Sequence, residues 1–167
     1  ALRREANGLR AGLVVEPTET DRLVDPGRCY GVRLLPLLLD FGFDVCVLMR
    51  SPAREEDVDV EAAEAGLCEE LPAEDQGRLT VRRFVDAQGL DAALQDADLR
   101  LVYSEVACDA RLARLGLTGF GLDGLELGPA GAVRSLERLL ARARWPFYRR
   151  YGRYLPPAPE QEPTHEP

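Results

Sequence analysis

Short apolar runs alternate with stretches of helical periodicity along most of the chain. Nearly continuous or alternating apolar runs predict strands at residues 9–16, 43–49, 78–85, 99–103 and 117–120. Apolar positions spaced three and four residues apart predict helices at residues 29–41, 90–94, 109–116 and 130–143. This alternation is typical of α/β proteins. It predicts a Rossmann-like, doubly wound parallel sheet of four or five strands with helices on both faces.

Local signals refine several of these elements. Gly42 and Gly116 follow the last apolar position of a helix, and glycine commonly ends helices there. Pro36 is expected either to kink the helix at 29–41 or to mark where a tighter helix begins. The apolar run at 9–16 is nearly continuous, as in a strand that is covered on both faces.

The chain between residues 54 and 75 is strongly acidic. It carries ten acidic side chains and one arginine. Val58, Ala62, Ala65 and Leu67 have the spacing of one apolar helix face. The pattern predicts a solvated outer helix, and a cation-binding site is the alternative.

A glycine-rich loop at residues 121–131 precedes the longest predicted helix. Glycine permits positive φ angles and close approach of a ligand, and the first N–H groups of a helix attract anions. Gly121, Gly128 and Gly131 are therefore candidate cofactor-binding residues. The alternative is a flexible connection with a well-formed helix start. The spacing is not G-x-G-x-x-G, so it does not indicate a dinucleotide fingerprint.

Polar residues at strand ends give two further candidates. Ser104 and Glu105 follow the strand at 99–103, where side chains line ligand crevices in parallel sheets. Either residue could instead cap the next helix, although Asp109 is better placed for that role.

The cysteines are widely spaced and form no C-x-x-C motif, which argues against zinc ribbons and redox dithiols. Cys29 and Cys108 are both expected between a strand and a helix. A helix N-terminus lowers the pKa of a thiol and favours metal ligation or nucleophilic attack. Both are low-priority candidate metal ligands, and the alternative is a pair of buried thiols. Cys46 is expected to be a buried, reduced thiol.

Composition excludes several classes of function. The formal net charge is −8, which argues against sequence-independent nucleic-acid binding. No apolar run approaches the roughly 20 residues of a membrane-spanning helix, and nothing indicates secretion, so the cytoplasm is the expected location. The chain begins with Ala1 in what resembles the end of a helix, and we expect it to be a fragment of a longer protein.

The C-terminal part has a different composition. Residues 1–145 are expected to form a single domain. Residues 146–155 are aromatic and basic and predict a segment that docks on a neighbouring domain, a subunit or the acidic stretch. Residues 156–167 are rich in Pro and Glu and predict a disordered tail, which contains the only histidine, His165.

The order of the motifs resembles the C-terminal domain of nitrogenase component 1-type proteins. This group includes nitrogenase, the dark-operative protochlorophyllide and chlorophyllide reductases, and the nickel-sirohydrochlorin reductive cyclase. The similar segments are residues 3–5, 9–15, 37–47, 98–102, 114–117 and 128–132. Thr118 stands where the family usually has proline, and the cofactor-binding histidine of nitrogenase has no counterpart before Gly128.

The resemblance implies part of an oxidoreductase that helps to enclose an iron–sulfur or tetrapyrrole site whose ligands lie elsewhere. The chain alone is then expected to bind no cofactor and to be inactive. The implied partners are upstream domains of the same protein or a paralogous subunit, and a P-loop iron-protein reductase. The alternative is a stand-alone, non-catalytic Rossmann-like module that binds a small anionic or nucleotide ligand.

Overall fold

The structure is a computed structural model that describes residues 1–29, 31–51, 60–106, 109–145 and 147–155. It contains one five-stranded sheet with the strand order β3-β2-β1-β4-β5. The strands are β1 (Arg10–Val15), β2 (Asp44–Arg50), β3 (Leu79–Phe84), β4 (Leu99–Tyr103) and β5 (Thr118–Phe120). All four strand pairs are parallel, so the predicted doubly wound parallel sheet is confirmed.

Helices connect the strands and cover both faces of the sheet. They are α1 (Leu2–Ala6), α2 (Asp21–Val24), α3 (Leu34–Phe41), α4 (Val60–Glu69), α5 (Ala73–Gln76), α6 (Ala87–Asp96), α7 (Ala110–Arg114), α8 (Gly128–Arg144) and α9 (Phe147–Tyr151). Parallel strands need such crossovers because the chain leaves each strand at the carboxyl edge of the sheet. It must return to the amino edge before the next strand begins.

Alternate residues of the central strands point into two separate apolar layers. Leu13 and Val47 belong to the layer that contains α3, α4 and α8. Cys46, Leu48 and Val102 belong to the layer that contains α6 and α7. Side chains alternate between the two faces along a strand, so a continuous apolar run supplies both layers.

The helix predicted at residues 29–41 is shorter than expected. It begins at Leu34, and Pro36 lies in its first turn. The N–H groups of the first turn have no partner within the helix, so proline is tolerated there. Gly31 has a φ of +84° just before this helix, a conformation that an α-helix does not contain. The helix ends at Gly42, which has a φ of +103°. Gly116 likewise ends α7 with a φ of +75°.

The acidic stretch contains the predicted helix, α4, but with a different inner face. Val60 and Leu67 are buried, whereas Ala62 and Ala65 are exposed, so the predicted helix face is confirmed at Leu67 and wrong at Ala62 and Ala65. Val58 lies outside the described residues. Glu61 and Glu64 pair with Arg83 of β3. The helix therefore lies near the β3 edge of the sheet.

The aromatic and basic segment folds back on its own chain. Helix α9 packs against α7, which adjoins β5. Gly152 is buried there against the backbone of Ala113, and the backbone of Arg149 lies over Gly116. This contact lies near β5, at the opposite edge of the sheet from α4. The tail at 156–167, with His165, lies outside the described residues.

Within the described ranges, no helix is both long enough and apolar enough to cross a lipid bilayer.

Candidate functional site at the carboxyl edge of the sheet

Strands β1 and β4 are neighbours in the sheet, but the chain leaves them in opposite directions. It runs from β1 towards β2, and from β4 towards β5. Doubly wound sheets bind ligands in the crevice that opens at the carboxyl ends of two such strands. In this protein the described residues after β1 (16–29 and 31–33) and after β4 (104–106 and 109) lie at that edge.

Val14 marks an opening in the cover of the sheet at this point. Its side chain is 38% exposed although it belongs to the central strand, while its neighbours Leu13 and Val15 are 0% and 7% exposed. Val14 lies on the face covered by α6 and α7, so these helices leave the carboxyl end of β1 uncovered. The expectation that this strand is covered on both faces is therefore wrong at Val14.

Cys29 and Glu105 lie in the segments that follow β1 and β4, within electrostatic range of each other. The thiol of Cys29 is buried, and burial raises its pKa. The Glu105 carboxylate raises this pKa further, whereas the Arg22 guanidinium lowers it. The thiol is therefore protonated at neutral pH and is a poor nucleophile. The predicted helix N-terminus is absent, because α3 begins only at Leu34. Cys108 lies outside the described residues.

Ser104 shapes the loop that follows β4. Its hydroxyl donates to Asp109 Oδ2 at 3.0 Å and accepts from the Val106 N–H at 3.2 Å. The other carboxylate oxygen of Asp109 accepts from the N–H groups of Arg111 and Leu112, at 3.0 Å and 3.3 Å. Asp109 is therefore the N-cap of α7, as predicted, and Ser104 holds that cap in place.

Gly121 lies directly beside Ser104. A β-carbon placed on Gly121 would lie 3.2 Å from the carbonyl oxygen of Ser104 and 2.8 Å from Asp123 Oδ1. The backbone N–H of Ser104 also donates to the carbonyl of Phe120 at 2.9 Å. The structure thus brings two of the predicted site residues together at the ends of β4 and β5.

The two glycines at the start of α8 have different environments. Gly128 has a φ of +80°, and a β-carbon there would meet no atom within 4 Å. A β-carbon on Gly131 would lie 2.7 Å from the backbone of Glu126. The close approach expected at Gly131 is present, but the approaching group is the preceding loop. Of the glycines in this loop, Gly128 uses the positive φ that glycine permits, and Gly121, Gly124 and Gly131 do not.

Ser135 is a residue of this region that the sequence interpretation missed. It is 1% exposed, and its hydroxyl accepts from the Glu126 N–H at 2.7 Å and donates to the Gly131 carbonyl at 2.8 Å. The Glu126 carboxylate is held by Arg134 at 2.5 Å and by Arg138. A serine among the apolar positions of an amphipathic helix was the signal that could have revealed this bond.

The structure thus brings Ser104 and Gly121 into contact and places Glu105 within electrostatic range of Cys29. Val14 is exposed at the carboxyl end of β1, whereas Gly128 and Gly131 belong to the start of α8. Among the residues that the structure describes, no three His, Cys, Asp or Glu side chains are grouped as metal ligands would be. The carboxyl ends of β1 and β4 offer an exposed apolar side chain, a carboxylate and a hydroxyl. This set of groups suits the binding and orientation of a ligand.

Comparison with known proteins gives no family assignment. No family model matches the chain, and no curated protein or solved structure matches it significantly. The resemblance to nitrogenase component 1-type proteins therefore stays a prediction that rests on its motifs.

Proposed function

We propose that this chain is a Rossmann-like binding domain that forms one wall of a ligand or cofactor site between β1 and β4. The exposed side chain of Val14 carries the proposal, because ligands of doubly wound sheets bind at the carboxyl ends of strands where the connections diverge. In this proposal Val14 is the floor of the site, and Ser104, Glu105 and Gly121 form its rim.

The chemistry of these groups favours binding over catalysis. The Cys29 thiol is buried with a raised pKa, so it does not act as an activated nucleophile. The hydroxyl of Ser104 is already bonded to the cap of α7. The proposal therefore assigns the reactive group to a cofactor or to another protein domain, and it assigns positioning to this chain.

A nitrogenase component 1-type oxidoreductase in the cytoplasm is the assembly that the motif order suggests. In this form of the proposal an iron–sulfur cluster or tetrapyrrole is held by residues elsewhere. Upstream domains or a paralogous subunit complete the site, and a P-loop iron-protein reductase is a further partner. We propose this assembly as the first one to test.

The first test fills the crevice in the intact assembly, purified anaerobically from its source. Val14→Phe places a large ring on the floor, and Val85→Phe is the matched control because Val85 is 53% exposed directly after an edge strand. We expect Val14→Phe to lower cofactor content, measured as iron per chain and visible absorption, at least tenfold. Equal cofactor content in the two variants, with thermal unfolding unchanged, would overturn the proposed site.

The second test uses the chain alone. After anaerobic incubation with iron and sulfide we expect a colourless, folded protein, because iron–sulfur clusters are held by grouped thiolates. Stoichiometric iron would overturn the proposal and make Cys29 and Cys108 the first ligands to examine. Thermal stabilisation by ATP or NADH that Val14→Phe abolishes would instead support a stand-alone nucleotide-binding module.

A further inference from the structure

A cluster of exposed aromatic side chains lies at the amino edge of the sheet, opposite the crevice. Trp145, Phe147 and Tyr151 are 64%, 47% and 46% exposed. The ring of Phe147 contacts those of Trp145 and Tyr151, with centroids 6.2 Å and 5.2 Å apart. Three contacting aromatic rings exposed together typically mark an interaction surface.

Contacts with α7 and α8 hold the backbone of this aromatic cluster in place. The segment that carries it is anchored on α7 by Gly152 and by the backbone of Arg149. Trp145 follows directly after the last turn of α8, and its N–H donates to the Arg142 carbonyl at 3.1 Å. The aromatic rings are therefore presented by ordered backbone, which reduces the entropy lost when a partner binds.

A groove with a volume of about 210 Å³ runs beside Trp145. Its lining includes apolar and basic residues, together with Gly116 and Thr118. Leu9, Ala143 and Trp145 provide apolar surface, and the basic side chains are Arg100, Arg144 and Arg149. This volume accommodates one large apolar side chain, and the guanidinium groups in the lining are suited to pairing with carboxylates.

The basic charge at the groove exceeds the acidic charge beside it. Arg100 and Arg149 share one carboxylate, Asp98, at 3.6 Å and 3.7 Å, and that side chain is 76% exposed. Arg144 pairs with Glu5 at 2.6 Å. Residues 138–155 contain six arginines and no acidic residue, although the whole chain has a net charge of −8. With three arginines and two carboxylates, the groove carries a net positive charge on an acidic protein.

We propose that this groove binds an acidic peptide segment of a partner protein, with one large apolar side chain inserted beside Trp145 and carboxylates paired with Arg100, Arg144 and Arg149. Bidentate pairing of arginine with carboxylates gives orientation, and the aromatic contact gives affinity. This surface is separate from the crevice at the carboxyl edge, so the inference does not rest on the proposed function.

The acidic helix α4 of the same chain does not reach this groove, because it lies near the opposite edge of the sheet. A second copy could offer its own α4, but that contact would join different surfaces and generate a ring or an open chain of molecules. We therefore favour a separate acidic segment, and self-association is one outcome of the test.

The test selects ligands from a random peptide library displayed on phage, with the whole chain as bait. Selected peptides without tryptophan are synthesised and titrated while the fluorescence of Trp145, the only tryptophan, is recorded. We expect the selected peptides to share acidic residues flanking an aromatic or large aliphatic residue. Their affinity should fall as ionic strength rises, because charge pairs at an interface rim are screened by salt.

Variants then locate the binding site. Trp145→Ala and Arg144→Glu should each weaken binding of a fluorescently labelled peptide by about tenfold or more. Leu127→Ala and Arg28→Glu are matched controls, since Leu127 is 77% exposed at the other end of α8 and the Arg28 side chain is 64% exposed. Circular dichroism shows whether each variant is folded.

Several outcomes would overturn the inference. These are selection of no peptides, selection of peptides without acidic residues, or equal binding to Trp145→Ala and the controls. Fluorescence changes caused only by an oligonucleotide or by anionic vesicles would replace the peptide with another class of ligand. Concentration-dependent mass that Arg144→Glu abolishes, with no peptide bound, would replace it with a second copy of the chain.

Discussion

The buried hydroxyl of Ser135 joins the loop before α8 to the helix itself, because it accepts a 2.7 Å hydrogen bond from the backbone N–H of Glu126. The same hydroxyl donates to the carbonyl of Gly131 one turn earlier. A single side chain thus fixes the entry of the chain into its longest helix.

Removal of this hydroxyl should destabilise the fold. Ser135→Ala leaves the Glu126 N–H without its partner in a buried region, and we expect a loss of about 1–3 kcal/mol in the free energy of unfolding. Urea denaturation measures it. Val133→Ala is the control, because Val133 is a half-exposed residue of the same helix and should change stability by less than about 0.5 kcal/mol. Equal effects would contradict the role given to Ser135.

Two helical glycines should respond in opposite ways to alanine. Gly131→Ala places a β-carbon 2.7 Å from the Glu126 backbone, and we expect it to cost about 1–3 kcal/mol. Gly66→Ala in α4 meets no atom within 4 Å and should stabilise the protein by about 0.5–1 kcal/mol. Thermal unfolding of both variants is the measurement. A tolerated Gly131→Ala would mean that the loop can move away from α8.

Acid should selectively remove the contribution of Glu126. The Arg134 guanidinium, which is hydrogen-bonded to this carboxylate, and then Arg138 hold the pKa of Glu126 below its usual range, against some desolvation. A depressed carboxyl pKa stabilises the fold above the unfolded-state pKa, and the contribution is lost as pH falls through the folded-state pKa. Glu126→Gln should therefore be less stable than the wild type at neutral pH.

The difference between wild type and Glu126→Gln should shrink as the pH falls below about 4. Urea denaturation at several pH values measures it. Glu74→Gln, at an exposed position in α5, should differ little from wild type throughout. A difference for Glu126→Gln that does not depend on pH would show that packing, and not charge, is what the substitution removes.

The three described cysteines should label in an order set by burial. Cys68 is half-buried, whereas Cys29 and Cys46 are 6% and 0% exposed and have raised thiol pKa values because of burial. Iodoacetamide should modify Cys68 first, and it should reach the other two only with partial unfolding. Peptide mapping by mass spectrometry follows each site. Fast labelling of Cys29 would show that its thiol is activated in solution.

Gly152 should control the attachment of α9. Any side chain there would collide with the carbonyl oxygen of Ala113, so Gly152→Ala should cost about 1–3 kcal/mol. Trp145 fluorescence should also shift, because this residue directly precedes the displaced segment. Arg150→Ala, at an exposed position of the same helix, is the control. Unchanged melting and fluorescence in Gly152→Ala would contradict the anchoring role.

The sequence predicted the sheet well because its signals are local. Each strand is a short apolar run between helices, and the predicted segment at 99–103 matches β4 residue for residue. The N-cap at Asp109 and the helix ends at Gly42 and Gly116 were also predicted, since caps depend on a few neighbouring residues.

The errors arise where distant parts of the chain decide the outcome. The exposure of Val14 depends on how far α6 and α7 extend over the sheet, which no local pattern encodes. The environment of Gly131 depends on the path of the preceding loop. The groove beside Trp145 is built from residues as far apart as Leu9 and Arg149. The periodicity of a sequence indicates which face of a helix or strand is apolar, but it does not indicate which distant part of the chain packs on that face.

Helix α8 makes both edges of the sheet depend on one rigid element. Its 17 residues span about 25 Å, from the loop bonded to Ser135 at the carboxyl edge to Arg144 in the groove at the amino edge. A ligand that repositions α8 at the carboxyl edge would change the affinity of the groove for a peptide. Thermodynamic reciprocity then requires the peptide to change the affinity of that ligand by the same factor.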